Sequence, residues 1–319
     1  MAAAPILTPP PAAPAFLERA GWTHATILPL AGDASFRRYF RVVRDGASAV
    51  LMDAPPAQED SRPFLRVAAH LHALGFAAPR VLASDLDLGL ILLEDFGDDR
   101  LAEAVAADPA RERPVYEAAI DLLRDLHRHG PDTLPPYDMA VLQREVALFP
   151  EWYLPAVGHV APDGFAEAWD DVLAPVADSR AVTVLRDYHA ENIMLLADGG
   201  LGLLDFQDAL AGHPAYDLVS LLQDARRDVD PALEAAMLDR YGPLDRAAYA
   251  VLGAQRATKI LGIFARLWRR DGKPRYLAFQ PRVWSYLERD LAHPALAPVR
   301  DWFDAHVPAA ARAGYWGAA

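Results

Sequence analysis

The sequence predicts an α+β fold in two lobes: a small antiparallel sheet, then a mostly helical half carrying one embedded hairpin. Three observations predict it. Apolar, β-rich runs separated by turn residues fill the stretch from Ile27 to Leu93. Helical spacing dominates beyond Gly97. Between Val182 and Phe206 the pattern returns to short strands about an Asp-Gly dipeptide.

Each element has a local reason. Tyr39-Phe40-Arg41-Val42-Val43 and Ala49-Val50-Leu51-Met52 flank Asp45-Gly46, a tight-turn dipeptide, and read as paired strands. Phe64, Val67, Ala68, Leu71 and Leu74 recur at helical spacing, and Gly75 is a natural stop. Pro79-Arg80-Val81-Leu82 and Leu90-Ile91-Leu92-Leu93 read as two further strands. Residues 115–127, 139–149, 165–176, 217–226, 231–241 and 247–269 then read as helices. The expected organisation is a flexible Pro/Ala arm over residues 1–14, a sheet-bearing N-lobe over 15–97 and a helical C-lobe over 98–319.

Composition bounds the function. The chain has 319 residues and a net charge of −13, with 44 acidic residues against 31 Lys and Arg. Nucleic acid is therefore excluded as the expected partner, since backbone binding needs a basic face, whereas an anionic ligand in a locally basic pocket is not. There is no cysteine, which removes disulfides, thiolate metal sites and thiol nucleophiles together. The apolar start lacks a basic n-region and carries five prolines within its first fifteen residues, so it does not read as a signal peptide. No apolar run is long enough for a membrane span. A soluble, cytoplasmic protein is expected, and its oligomeric state is not legible.

The chemistry concentrates in residues 185–206. If Asp198-Gly199 forms a two-residue loop, the register outward sets Asn192 opposite Asp205, with Cβ atoms about 5 Å apart. An amide oxygen and a carboxylate so placed suit one Mg²⁺, a hard cation that takes oxygen ligands. Asp187, five positions before Asn192, lies in the preceding loop. One carboxylate to orient and deprotonate a hydroxyl, with an Asn and a second Asp on metal, is a set suited to phosphoryl transfer.

In this constellation the chain resembles the aminoglycoside phosphotransferase and protein-kinase-like superfamily, whose signature is a catalytic Asp, four residues, an Asn, then a metal-binding Asp after a hairpin. Asp187, Asn192 and Asp205 match those positions, and His189 matches a His that often follows the catalytic Asp. The resemblance implies a two-lobed, protein-kinase-like fold with ATP and Mg²⁺ as cofactors. There are departures. Leu185-Arg186 stands where His-Gly is frequent, and Leu204-Asp205-Phe206-Gln207 has no glycine after the Asp-Phe pair. Asp95-Phe96-Gly97 lies upstream of the catalytic loop, at the position of an interlobe hinge.

On the nucleotide side the resemblance implies adenine binding along residues 92–97, including Glu94 and Phe96. It implies a phosphate loop over residues 32–42, with Ser35, Phe36, Arg37, Arg38 and Arg41 as candidates. Met52 stands near the strand lysine these kinases usually carry, and the helix after it contains no acidic partner. Which cation replaces the lysine is left open. Asp217 reads first as a helix cap, and by resemblance as a brace for the catalytic loop.

Within the superfamily, residues 32–40, 52–56, 151–153, 255–267 and 270–277 resemble a bacterial subgroup of kinases. These phosphorylate N-acetylmuramate and N-acetylglucosamine at C1 in cell-wall recycling. The likeness implies a small-molecule amino sugar as partner. Glu145 and Trp152 are candidates for the sugar, as is His189, and Arg256 with Lys259 for a lactyl carboxylate. Two other readings stay open: an aminoglycoside or other amino-alcohol kinase, and a nucleotide-binding regulatory scaffold without turnover, suggested by Met52.

Overall fold

The computed structural model describes residues 8–30, 36–131, 133–160 and 162–312. The chain divides into two compact units, one of residues 1–100 with 193–208, the other of residues 101–192 with 209–319.

The first unit opens with α1 (Ala13–Arg19) and continues through β1 (Thr26–Pro29), β2 (Arg38–Arg44) and β3 (Ala47–Asp53). After α2 (Arg62–Ala73) come β4 (Val81–Asp85) and β5 (Leu90–Glu94). The strands form one antiparallel sheet in the order β1-β2-β3-β5-β4. Period two explains its layer: Phe40 and Val42 of β2, Ala49 and Leu51 of β3, and Leu90 and Leu92 of β5 are buried together, covered by Ala13, Phe16 and Leu17 of α1. The expected arm therefore ends sooner than residue 14, because Ala13 is already core. Asp45 and Gly46 take positive φ of 50° and 80°, the tight-turn geometry their identities predict. Helix α2 is closed off just beyond its C-cap Leu74 by Gly75, whose φ of +87° lets Phe76 N–H reach the Leu71 carbonyl at 2.9 Å.

The chain then enters the second unit as α3 (Leu101–Ala107), α4 (Glu112–Leu126), α5 (Met139–Val146), α6 (Leu154–Ala156), α7 (Phe165–Leu173) and β6 (Val182–Val184). It returns to the first unit as the hairpin β7 (Ile193–Leu195) and β8 (Leu201–Leu203). It finishes in the second with β9 (Leu210–Gly212), α8 (Ala215–Leu222), α9 (Pro231–Tyr241), α10 (Arg246–Arg269), α11 (Gln280–Leu291), α12 (Ala297–His306) and α13 (Ala309–Arg312). Strand β6 pairs with β9 rather than with the hairpin. No helix among the described residues is long and apolar enough to cross a membrane.

The hairpin departs from its expected register by one residue. Ile193 pairs with Leu203, Met194 with Gly202 and Leu195 with Leu201. Leu196 N–H donates to Gly200 O at 2.9 Å, leaving Ala197, Asp198 and Gly199 as a three-residue loop. The reason lies in Asp198. A two-residue type I′ turn needs positive φ at both central residues, but only Gly199 takes it, at 87°. The Asp198 carboxylate instead accepts Gly200 N–H at 2.9 Å in an Asx turn. The register that set Asn192 opposite Asp205 is thus displaced, and Asp205, at φ 56°, lies beyond the ladder.

The hairpin's grouping with the sheet also departs from a boundary at residue 97. Leu203 N–H donates to Ala77 O at 2.8 Å, and Leu195 N–H to Asp99 O at 2.7 Å. Phe206 stacks on Phe64 with centroids 5.0 Å apart.

Helix α10 organises the second unit and is buried along most of its 24 residues. It crosses the π-helical turn Phe149–Tyr153, whose aromatics pack with Trp284 and Phe303. Trp284 Nε1 donates to Tyr153 OH at 2.7 Å, which donates to Ala311 O at 2.6 Å, so the buried polar tips are paired. The crossing at Gly262 is close: a Cβ there would stand 2.4 Å from the Leu148 carbonyl carbon and oxygen. Gly→Ala in a helix ordinarily gains up to about 1 kcal/mol. Here the clash is with backbone that cannot rotate away, so we expect Gly262→Ala to destabilise by about 2–3 kcal/mol, read as a lower urea midpoint with an unchanged slope.

Candidate active site

The candidate catalytic loop, residues 185–192, belongs to the second unit and is held from several directions. Asp217, fully buried on α8, accepts Leu185 N–H at 2.6 Å and Arg186 N–H at 2.9 Å. It sits inside the helix rather than capping it, so the cap reading gives way to the brace. Burial pushes its carboxyl up to about 7, against those two donors, which favour the charged form. Ser220 Oγ donates to Arg186 O at 3.2 Å, and Tyr188 OH donates to Ala119 O at 2.7 Å, pinning the loop to α4.

Arg186 takes φ 71°, a left-handed backbone that glycine adopts freely and other residues rarely. Its guanidinium bonds Glu145 on α5 and lies over the Tyr137 ring. Glu145 also receives Tyr137 OH, Lys259 Nζ at 2.8 Å and Gln255 Nε2 at 3.0 Å. Four donors fill the acceptor sites of one carboxylate. Burial alone would raise the Glu145 carboxyl, but Lys259 and Arg186 bring it down to about 2. Glu145 and Lys259 are therefore committed to each other, and the expectation that they meet sugar hydroxyls and a lactyl carboxylate gives way to support of the loop. Gln255 and Tyr137 were missed by sequence reasoning. The i, i+4 spacing of Gln255 and Lys259 on α10 is the signal that links those two.

Asp187 is half-buried. Its carbonyl accepts His189 N–H at 3.0 Å and Asn192 Nδ2 at 3.0 Å. Using the amide nitrogen this way leaves Asn192 Oδ1 as the atom able to meet a cation. His189 Nε2 faces two donors, Asn192 Nδ2 and Arg226 Nη1, each at 3.3 Å, so it accepts and the ring proton belongs on Nδ1. Burial, then the Arg226 charge, lowers this imidazole to about 3, so it is neutral at physiological pH. Arg226 also pairs with Glu191 at 2.8 Å. Arg256 is buried on α10, and its charge acts on Asp217 and His189. Trp152 is half-buried on the π-helical turn.

The remaining candidates lie in the first unit. Asp205 lies two residues after the end of β8, accepts Gln207 Nε2 at 2.9 Å and stands 3.7 Å from the Arg37 guanidinium. Carboxylate and amide oxygens are the donors Mg²⁺ prefers, so the chemistry of Asp205 and Asn192 fits that ion. Arg38 and Arg41, expected beside phosphates, are held by carboxylates. Arg38 Nε bonds Asp53, its cross-strand partner, at 2.8 Å. Arg41 is forked between Asp95 and Asp98, with bonds of 2.8 Å to each. Glu94 is paired with Arg80 at 3.0 Å. Phe96 lies against Gly202, where a Cβ would meet the ring at 2.7 Å. Phe36 is exposed and Met52 fully buried, while Ser35 lies outside the described residues.

Residues 26–252 match the phosphotransferase enzyme family. The chain belongs to that family. This phosphotransferase is 42% identical to the N-acetylmuramate/N-acetylglucosamine kinase of Caulobacter vibrioides, over 93% of this chain and 96% of that one. It is 41% identical to the enzyme of the same name from Pseudomonas aeruginosa, over 87% of this chain and 88% of that one. Among solved structures it is similar to the choline kinase LicA from Streptococcus pneumoniae. The TM-score is 0.62 at 13% identity, over 88% of this chain and 97% of that one. That likeness confirms a kinase-like fold.

Replacing Glu145 would leave Arg186 and Lys259 as cations without their carboxylate. We expect Glu145→Gln to cost about 3 kcal/mol or more at neutral pH in chemical denaturation. Since the folded carboxyl lies below its ordinary value of 4.5, the advantage of Glu is complete above that value and fades as pH falls toward 2. The gap between the two proteins should therefore narrow through that window.

Proposed function

We propose that this phosphotransferase transfers the γ-phosphoryl group of ATP to the anomeric hydroxyl of N-acetylmuramate or N-acetylglucosamine. The reaction belongs to peptidoglycan recycling and draws on cytoplasmic ATP. The observation that carries the substrate class is the 42% identity, over nearly the whole of both chains, to a kinase named for those two sugars. Retention of Asp187, Asn192 and Asp205 supports turnover rather than a scaffold role.

In this reading Asp187 accepts the proton of the C1 hydroxyl as its oxygen attacks the γ-phosphorus, and ADP leaves. The second-unit contacts of Asp217, Ser220 and Tyr188 keep that carboxylate in place. Asn192 and Asp205 would hold Mg²⁺, which neutralises phosphate charge when bound. The neutral His189 and the half-buried Trp152 remain the candidates for the sugar, and residues 92–97 for adenine.

Phosphorus NMR on the protein with Mg-ATP and a panel of acceptors tests this. A new anomeric phosphate signal from either sugar, with matching ADP, is expected. Phosphate appearing only on aminoglycosides or amino alcohols would overturn the substrate, and ATP binding without turnover on any acceptor would point to the scaffold. We expect Asp187→Asn to lower kcat by about 10³-fold, leaving ATP affinity nearly intact. Undiminished turnover would mean that another group takes the proton.

A further inference from the structure

Arg256 on α10 is only 4% exposed, yet it makes no hydrogen bond and no ion pair among the described residues. Arg186, Arg227, Arg282 and Arg289 of the same unit each meet a carboxylate. A buried cation without such a partner is costly, because water no longer solvates it. Asp217, on which the Arg256 charge acts, already accepts Leu185 N–H and Arg186 N–H. The cavity that Arg256 lines with Gln223, Gly253 and Tyr286 has a volume of about 10 Å³, room for one water and too little for an organic anion.

Two further buried atoms beside the catalytic loop are in the same position. His189 Nδ1 and Asp224 Oδ2 have no partner among the described residues, although His189 and Asp224 are 3% and 1% exposed. Asp224 Oδ1 accepts Arg226 N–H at 2.9 Å, which leaves Oδ2 over. The charges of Arg256 and Asp224 both act on His189, two residues after Asp187. The cluster thus holds one cation, one acceptor and one donor that the fold itself does not use.

We propose that Arg256 binds the lactyl carboxylate of N-acetylmuramate and so sets the preference between the two amino sugars. The proposal rests on the kinase reading above and deepens it. N-acetylmuramate is N-acetylglucosamine with a lactyl ether, and the carboxylate of that ether is the one ionised group on either sugar. A guanidinium can meet it with two parallel N–H bonds, and burial strengthens the pair by excluding water. Lys259, one turn along α10, is bound to Glu145 and takes no part. Asp224 Oδ2 and His189 Nδ1 suit hydroxyl or acetamido groups, which both sugars carry. Arg256 therefore discriminates between the sugars, whereas those two neighbours do not.

Steady-state kinetics with Mg-ATP, run on both sugars and on the methyl ester of N-acetylmuramate, test this. The wild-type protein should use the acid at least about tenfold better than its ester, as expected for a charged hydrogen-bonded pair. Arg256→Met should lower the ratio of kcat/KM for N-acetylmuramate over N-acetylglucosamine at least about tenfold, chiefly through KM. It should also erase the preference for acid over ester, and Arg256→Lys should recover part of both. A purely structural role would slow both sugars together, and that unchanged ratio would overturn the proposal. So would a wild-type protein that uses acid and ester alike, a readout that needs no folded variant. Wild-type protein that phosphorylates neither sugar would count against the kinase reading itself, whereas an equal loss on both sugars in Arg256→Met sinks only this assignment.

Discussion

The backbone at Arg186 occupies a left-handed conformation that costs a non-glycine residue about 1–2 kcal/mol, and the candidate catalytic carboxylate is the next residue. Much of the second unit's polar chemistry bears on that point. Asp217 takes the N–H, Ser220 gives to the carbonyl, and Glu145 takes the guanidinium. Glycine could enter the same conformation without help, but it would bring no side chain for Glu145 to hold. An arginine here exchanges backbone ease for a tether between the loop, α5 and α10.

The same logic of local pairing governs the charge. A protein at −13 has carboxylates to spare, and in the first unit they are set against arginines one by one. Where the match is short and forked, the arginine belongs to the architecture.

Much of this was legible in the sequence. Period-two runs, the Asp-Gly dipeptides and the apolar stripe of α2 placed the elements because each is a local property. Asp187, Asn192 and Asp205 stood out through fixed spacing around one hairpin. The one-residue slip in register was not legible, since it turns on whether Asp198 adopts a positive φ or folds its carboxylate onto Gly200. Nor were the fates of Glu145, Lys259, Arg38 and Arg41. Glu145 and Lys259 are 114 residues apart, and Arg41 and Asp98 are 57 apart. No local pattern announces partners that only tertiary structure brings together.

The hairpin β7–β8 makes the first unit discontinuous along the chain. A ribosome that has completed residue 100 has made every strand of the five-stranded sheet, yet Phe206, the stacking partner of Phe64, is more than a hundred residues from being synthesised. The Ala77 carbonyl likewise waits for Leu203, and the Asp99 carbonyl for Leu195. The sheet must therefore persist unfinished through the synthesis of α3 to α7, with apolar surface exposed that chaperones would recognise. Closure of the unit is a long-range, late event, and its loop entropy is met only when the catalytic loop itself has been made. Assembly of the sheet-bearing unit and emergence of the catalytic loop are in this way tied to the same moment of synthesis.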